Sequence, residues 1–262
     1  MSYWKLDETS GTTAVDSCNG NDGTVSGAQW TTPGQVDSAL SFDGIDDNVQ
    51  IPDSPSFDLS SFTVVTLVKV TGRFGAYRSI LTKDRPGQDE FWFGYASNNK
   101  LDFKFNGQGG FNINGPTQKV ITDTNWHFLV GVYDGTTIMV YVDGVLDGSK
   151  LYGPMITGGT GTVNMGITRY WGDNYFKGVL DEVAIFNIVL TSDEIMSLYQ
   201  NGVAGQNYYV APTADFTYSP MPPTALDPIQ CTDTSTDNDG LIISWSWDFD
   251  DGSTSTFTES HA

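Results

Sequence analysis

Cysteine is scarce: Cys18 and Cys231 are the only two in 262 residues, and they stand at opposite ends of the chain. No disulfide framework is indicated, and both read as plain thiols. Histidine is equally rare. His127 and His261 are too few for a zinc site without acidic help, and neither belongs to a Ser–His–Asp or Cys–His grouping. Basic residues number 12 against 32 acidic ones, for a formal charge of −20. Such a surface repels phosphate backbones and anionic lipid, which argues against nucleic acid and membrane as partners. Glutamate is nearly missing, since 27 of the acids are Asp and 5 are Glu. Glu favours helices, whereas Asp favours turns and supplies hard oxygen ligands. No apolar run approaches the roughly 18–20 residues of a membrane span. The opening Met1-Ser2-Tyr3-Trp4 has neither the basic nor the apolar region of a secretion signal, so any signal is expected outside this sequence.

What is present is a series of short β-rich runs punctuated by Gly, Asn and Asp. Residues 127–133, Asp134-Gly135, residues 137–142 and Asp143-Gly144 read as strand, turn, strand, turn. Asp-Gly between such runs signals a hairpin, because Gly accepts positive φ. Alternation groups Phe128, Val130 and Val132 on one face, and the expectation is that Ile138, Val140 and Val142 meet them from the next strand. Further strands are expected at 39–42, 49–51, 62–70, 79–82, 90–95, 100–105, 162–167 and 178–186. Their number and spacing predict an all-β chain with two packed antiparallel sheets.

One helix is expected. Thr191-Ser192-Asp193-Glu194 is a capping box, Ile195, Leu198 and Tyr199 form an apolar stripe, and Gly202 ends it. Near residue 205 the composition changes. Residues 206–211 read as a linker, followed by Pro212, Pro220, Pro222, Pro223 and Pro228 and a second small β-unit over 212–262.

Several motifs in order resemble a known family. Tyr3-Trp4-Lys5-Leu6-Asp7-Glu8, Asn19-Gly20-Asn21-Asp22-Gly23, Ala39-Leu40-Ser41-Phe42-Asp43-Gly44, Trp126-His127, Tyr141-Val142-Asp143-Gly144 and Gly178-Val179-Leu180-Asp181-Glu182-Val183 follow one another as in laminin-G-like, concanavalin A-like domains. The resemblance covers residues 1–205 and implies a two-sheet antiparallel jelly-roll sandwich with one short C-terminal helix. The tail, with Asp233-Thr234-Ser235-Thr236-Asp237 and Trp245-Ser246-Trp247-Asp248-Phe249-Asp250-Asp251-Gly252, resembles a PKD-type domain, an immunoglobulin-like β-sandwich. Asp250 stands where that family usually has Gly. At 51 residues the stretch is expected to be a partial domain.

The candidate metal segment is residues 16–23. Calcium takes six to eight oxygens on a loop able to fold round it, and Asp16, Asn19, Asn21, Asp22 and Gly23 supply donors and curvature. The same residues also make an ordinary Asn/Gly surface turn, and the residues alone leave both readings open. The resemblance implies calcium there, completed by Asp181. Asp181-Glu182 is not read as a catalytic pair, because adjacent strand residues point to opposite faces and cannot flank one glycosidic bond. His127 reads as a strand-edge histidine.

Sugar rings stack on aromatics accompanied by a few polar groups. Arg169, Tyr170, Trp171 and Asp173 combine both in one Gly-containing loop, with Arg85, Asp89 and Trp92 as second choices. Trp171 and Trp92 could equally pack inward; on its strand, Trp92 is expected to do so. The expectation is a non-catalytic, calcium-stabilised module that binds a glycan or cell-surface polymer. It would belong, with other modules, to a longer secreted or surface protein. The alternatives are a structural or adhesion spacer with no small ligand, or an ancillary module of a polysaccharide-degrading enzyme.

Overall fold

The computed structural model describes residues 1–85, 88–105, 118–154, 158–168, 174–205, 214–219, 230–236, 245–248 and 254–257. The chain divides into two compact units, Met1–Tyr208 and Tyr209–Ala262.

Among the described residues of the first unit, two antiparallel sheets face each other. One runs Val145–Leu151, Thr137–Val142, Trp126–Tyr133, Phe62–Val70, Lys177–Phe186, Ala39–Asp43, Gln29–Thr31, and Ser2–Trp4 also pairs with Lys177–Phe186. The other runs Leu101–Phe105, Gln88–Tyr95, Arg78–Arg85, Val163–Met165, Asn48–Ile51, Gly23–Ser26, Thr13–Ala14. This is the expected jelly-roll sandwich. Its inner layer is strongly aromatic. Phe62 of the first sheet meets Phe91 and Phe103 of the second at 5.2 and 5.7 Å between ring centroids, and Phe105 meets Tyr133 at 4.7 Å. Each such ring, once buried, contributes about 1.5–3 kcal/mol of apolar transfer energy, and edge-to-face packing adds to it.

The hairpin register differs from expectation. Val142, Val140 and Ile138 lie opposite Leu129, Gly131 and Tyr133, not opposite Phe128, Val130 and Val132. Direct partners in an antiparallel pair share a face, so the first group looks into the sandwich. Phe128, Val130 and Val132 are buried on the outer side, where Phe128 meets Tyr199 of the helix at 5.8 Å. A strand that is apolar on both faces carries no alternation from which register can be read.

The helix spans Ser192–Val203, with Thr191 as N-cap and the reciprocal bonds of a capping box to Glu194. Gly202 does not end it. That glycine is buried, and a Cβ there would sit 3.2 Å from the Leu67 side chain, so it packs closely on the sheet. Ala204 is the C-cap, and Gly205 takes the left-handed conformation. Strands at Ser2–Trp4, Thr13–Ala14, Gly23–Ser26, Gln29–Thr31 and Val145–Leu151 add to those expected. Among the described residues, no helix is long and apolar enough to cross a membrane.

The second unit contains two hairpins, Phe216–Ser219 with Gln230–Asp233 and Trp245–Asp248 with Thr254–Phe257. The Phe216 and Trp247 rings meet edge-to-face at 5.7 Å. Cys18 and Cys231 are both free.

Candidate functional sites

Asp16 lies beside the first strand, forming an isolated bridge with Trp4. Its Oδ1 accepts from the backbone N–H of Tyr3 at 2.9 Å and of Cys18 at 3.0 Å, and its Oδ2 accepts from Asn21 N–H at 3.1 Å. Asn21 donates its side-chain amide to Ser2 and Ser56, Asn19 donates to the Met1 carbonyl, and Asp22 accepts from Asp16 N–H. Gly23 belongs to a strand, and a Cβ there would meet Val49 at 2.5 Å. Asp16 is therefore the hub of its own turn. Of the candidate set Asp16, Asn19, Asn21, Gly23 and Asp181, the Asp16 carboxylate is surrounded by backbone donors of its own turn, and Asp181 is bonded to the loop of Gln35 and Val36.

Asp181 is fully buried. Its Oδ2 accepts from the N–H groups of Gln35 and Val36, both at 2.9 Å, while Oδ1 has no hydrogen-bond partner. Desolvation pushes the carboxyl up to about 8; the Val36 and Gln35 bonds oppose that rise, and the charges of Glu182 and Asp7 reinforce it. Asp7 reaches the same loop, accepting from Ser38 N–H at 3.2 Å. Its carboxyl is also raised, first by burial, against the Ser38 bond and with the charge of Asp37. Glu182 turns elsewhere and accepts from the Tyr3 hydroxyl. The two adjacent acids thus serve different partners. Asp7 was not singled out from the sequence. It stands in the opening motif Tyr3–Glu8, but only the pairing of Ser2–Trp4 with Lys177–Phe186 carries it toward Asp181.

Among the described residues, the group of three or more candidate ligands whose atoms lie within 4.8 Å of one another is Asp43, Asp46 and Asp47. There too the carboxylates serve the turn, with Asp47 accepting from Asp43 N–H and Asp43 from Ile45 N–H.

Of the expected sugar contacts, Arg169, Tyr170, Trp171 and Asp173 lie outside the described residues, as do the Arg85 and Asp89 side chains. Trp92 is 4% exposed. Its indole N–H donates to Ser79 Oγ at 2.7 Å, and the Lys104 ammonium sits 4.8 Å from its ring centroid. It is a covered wall residue, not a presented platform. The described end of the aromatic loop does reach this wall, because Ser79 N–H donates to the Asn174 carbonyl at 3.0 Å.

An open groove of about 340 Å³ lies between the turn at residues 9–12 and the strand Gln29–Thr31. Trp30, half-buried, lines it beside Thr9, Ser10 and Thr12, and its indole N–H is held by the Gly11 carbonyl at 2.9 Å. Trp30 was also overlooked in the sequence. Its one signal is a lone tryptophan between polar neighbours, Gln29 and Thr31.

His127 is 8% exposed and bridges two acids, Asp143 at 3.0 Å through Nδ1 and Asp123 at 3.1 Å through Nε2. The Asp143 hydrogen bond chiefly raises its pKa; burial opposes this. Burial would raise Asp143, but bonds from His127 and Lys119 outweigh it and hold that carboxyl at about 2.

A two-sheet antiparallel sandwich of this topology defines the class of concanavalin A-like β-modules. Residues 43–196 match the family model of the concanavalin A-like lectin/glucanases superfamily, and the chain belongs to that family. Solved structures share the fold. Domain 4 of AbnA, a GH43 extracellular arabinanase from Geobacillus stearothermophilus, in complex with arabinotriose, is 18% identical with a TM-score of 0.59, covering 76% of this chain and 97% of that domain. Trypanosoma rangeli sialidase in complex with 2,3-difluorosialic acid is 17% identical with a TM-score of 0.62, covering 79% of this chain and 33% of the sialidase. The binding domain of Paraclostridial Mosquitocidal Protein 1 is 15% identical with a TM-score of 0.58, covering 76% of this chain and 51% of that one. A search of curated proteins finds no match.

Proposed function

We propose that the first unit is a non-catalytic carbohydrate-binding module of a secreted or cell-surface protein, and that residues 212–262 form a PKD-type companion. The groove at Trp30 carries the reading. Its volume falls in the range of small-ligand sites, and it sets a pinned aromatic ring beside the hydroxyls of Thr9, Ser10 and Thr12. A sugar ring stacks on such an aromatic while its hydroxyls exchange hydrogen bonds with the rim. The similarity in fold to an arabinanase domain seen with arabinotriose supports an oligosaccharide as the ligand class. The loop bearing Tyr170 and Trp171 is a second place for contact, favoured by the docking of Asn174 on Ser79.

A glycan array on the full chain tests this, followed by titration of the best hit. Trp30→Ala should weaken binding by about 2 kcal/mol, as for an anchoring aromatic. Loss in Trp171→Ala alone would move the site to the loop. Absence of any glycan signal would favour the structural spacer. Hydrolysis of a bound polysaccharide above background would reject the non-catalytic reading.

A further inference from the structure

Arg78 is fully buried, yet its Nε and Nη1 have no hydrogen-bond partner. Among the described residues its polar partner is Asn99, whose Oδ1 accepts from Nη2 at 2.9 Å, and no carboxylate pairs with it. A desolvated guanidinium with idle donors is costly, because burial suits a cation only when it is paired. Burial lowers its pKa to about 10; interaction with Tyr95 opposes the fall, and the charge of Arg73 adds to it. The guanidinium carbon lies 4.6 Å from the Tyr95 ring centroid and 5.3 Å from that of Phe74. Tyr95 is fully buried, with its hydroxyl also unpartnered, whereas Phe74 is 39% exposed. Phe74 is therefore the cover on the solvent side. It sits in a turn closed by a bond from Ala76 N–H to the Arg73 carbonyl at 3.2 Å. Beside it, a Cβ on Gly75 would meet nothing within 4 Å, so the turn has open space to move into. Gly75 N–H donates to the same Asn99 Oδ1 at 2.8 Å, so the turn and the guanidinium share one acceptor. Lys177 reaches this turn as well, since a Cβ on Gly72 would lie 2.9 Å from its Cδ. Arg73, Arg78 and Lys177 thus gather positive charge at one end of a sandwich that is otherwise strongly acidic.

We infer that Arg78 seats the carboxylate of an acidic sugar residue, a uronate, admitted when the Phe74 ring swings away from the guanidinium. This rests on the reading of the first unit as a glycan-binding module and adds a ligand class to it, at residues other than those of the Trp30 groove. The unfilled N–H groups lie in the plane of the guanidinium and suit the planar, two-oxygen edge of a carboxylate. Charge-assisted bonds formed where water is scarce are strong. Arg78 is already desolvated in the free protein, so that cost does not fall on the binding step. A neutral sugar has only hydroxyls to offer the same donors and gains less. Once displaced, the Phe74 ring presents a face on which the pyranose stacks. A chain of charge −20 repels such a ligand elsewhere on its surface, so a dedicated cation is what a site for it requires.

The test presents the full chain with oligomers of galacturonate, glucuronate and mannuronate beside their neutral and sulfated counterparts, then titrates the best acidic hit. The wild type should bind that hit with a Kd at least about 10-fold lower than its neutral counterpart. Arg78→Met should lose the preference while melting no lower than the wild type, because an apolar chain replaces an unpaired buried charge. A purely structural arginine would do the reverse, lowering the melting temperature and leaving the preference intact. If Arg78→Met does not fold, Phe74→Ala decides, since uncovering the guanidinium should speed association of the same hit severalfold. An unchanged association rate then overturns the site. So does an array on which no acidic glycan binds, or on which sulfated glycans bind equally well. Neutral glycans still bound in that case would leave the module reading standing without this site.

Discussion

His127 Nδ1 lies 3.0 Å from Asp143 Oδ2, joining the start of the strand Trp126–Tyr133 to the turn that ends its hairpin partner Thr137–Val142. Asp143 also accepts from Phe128 N–H and pairs with Lys119 at 2.6 Å. The turn aspartate thus gathers a histidine, a lysine and a backbone amide at one corner of the sandwich.

That corner makes stability depend on pH in a defined direction. The folded pKa of His127 is raised, so its contribution is fully present below the unfolded value, about 6.5, and is lost as pH rises through the folded value. Melting temperature should therefore fall on the alkaline side of 6.5, and the decline should flatten in His127→Gln. Asp143, held at about 2, contributes stability above its ordinary 3.8 that disappears as pH falls toward 2. Equal slopes in the wild type and His127→Gln would contradict the first statement.

The helix cap gives a separable prediction. Thr191→Ala removes the side chain that accepts from Glu194 N–H and should cost about 1 kcal/mol in urea unfolding. Thr191→Ser should recover most of it, because the hydroxyl is what matters. If Ser and Ala behave alike, the loss comes from packing.

The two sheets meet tightly at Gly131. A Cβ there would lie 2.7 Å from the Phe103 ring, which is itself fully buried. Gly131→Ala should destabilise by about 1–3 kcal/mol through overpacking. Pairing it with Phe103→Leu should give less than the sum of the two single losses, since each change relieves the other. Strict additivity in a double-mutant cycle would show that the two positions do not touch.

Asp16 should matter for folding even with no ion present. Replacing it with Ala removes a charged acceptor from three backbone donors and should cost at least about 2 kcal/mol. Chemical unfolding with chelator present isolates this term. A neutral Asp16→Ala under those conditions would mean that its hydrogen bonds add nothing.

The second unit should be the weaker. Its described strands pair only as two-stranded hairpins, a marginal arrangement in water, and Phe216 is 55% exposed. Limited proteolysis should digest residues 209–262 before residues 1–208. Equal resistance of the two units would refute the ranking.

Much of the fold was legible. The strand over 62–70, the hairpin partner over 137–142 and the capping box at Thr191 coincide with the structure because period, turn residues and cap chemistry are local signals. Register was not legible where Trp126–Tyr133 is apolar on both faces. Gly202 misled for a related reason. A glycine near a helix end signals termination, but this one serves a close contact with Leu67 from another strand.

The sequence by itself determined an acidic, turn-rich, all-β module with one capped helix, since composition, alternation and short motifs act within a few residues. Tertiary structure alone decided which oxygens meet. Asp16 and Asp181 both looked like ligands, yet strand pairing brings Asp7 and the Gly34–Ser38 loop to Asp181 and leaves Asp16 to its own turn. It also decided that Trp92 is covered while Trp30 borders a groove. An aromatic side chain reads the same in either setting, and only the elements packed around it determine whether a ligand can reach it.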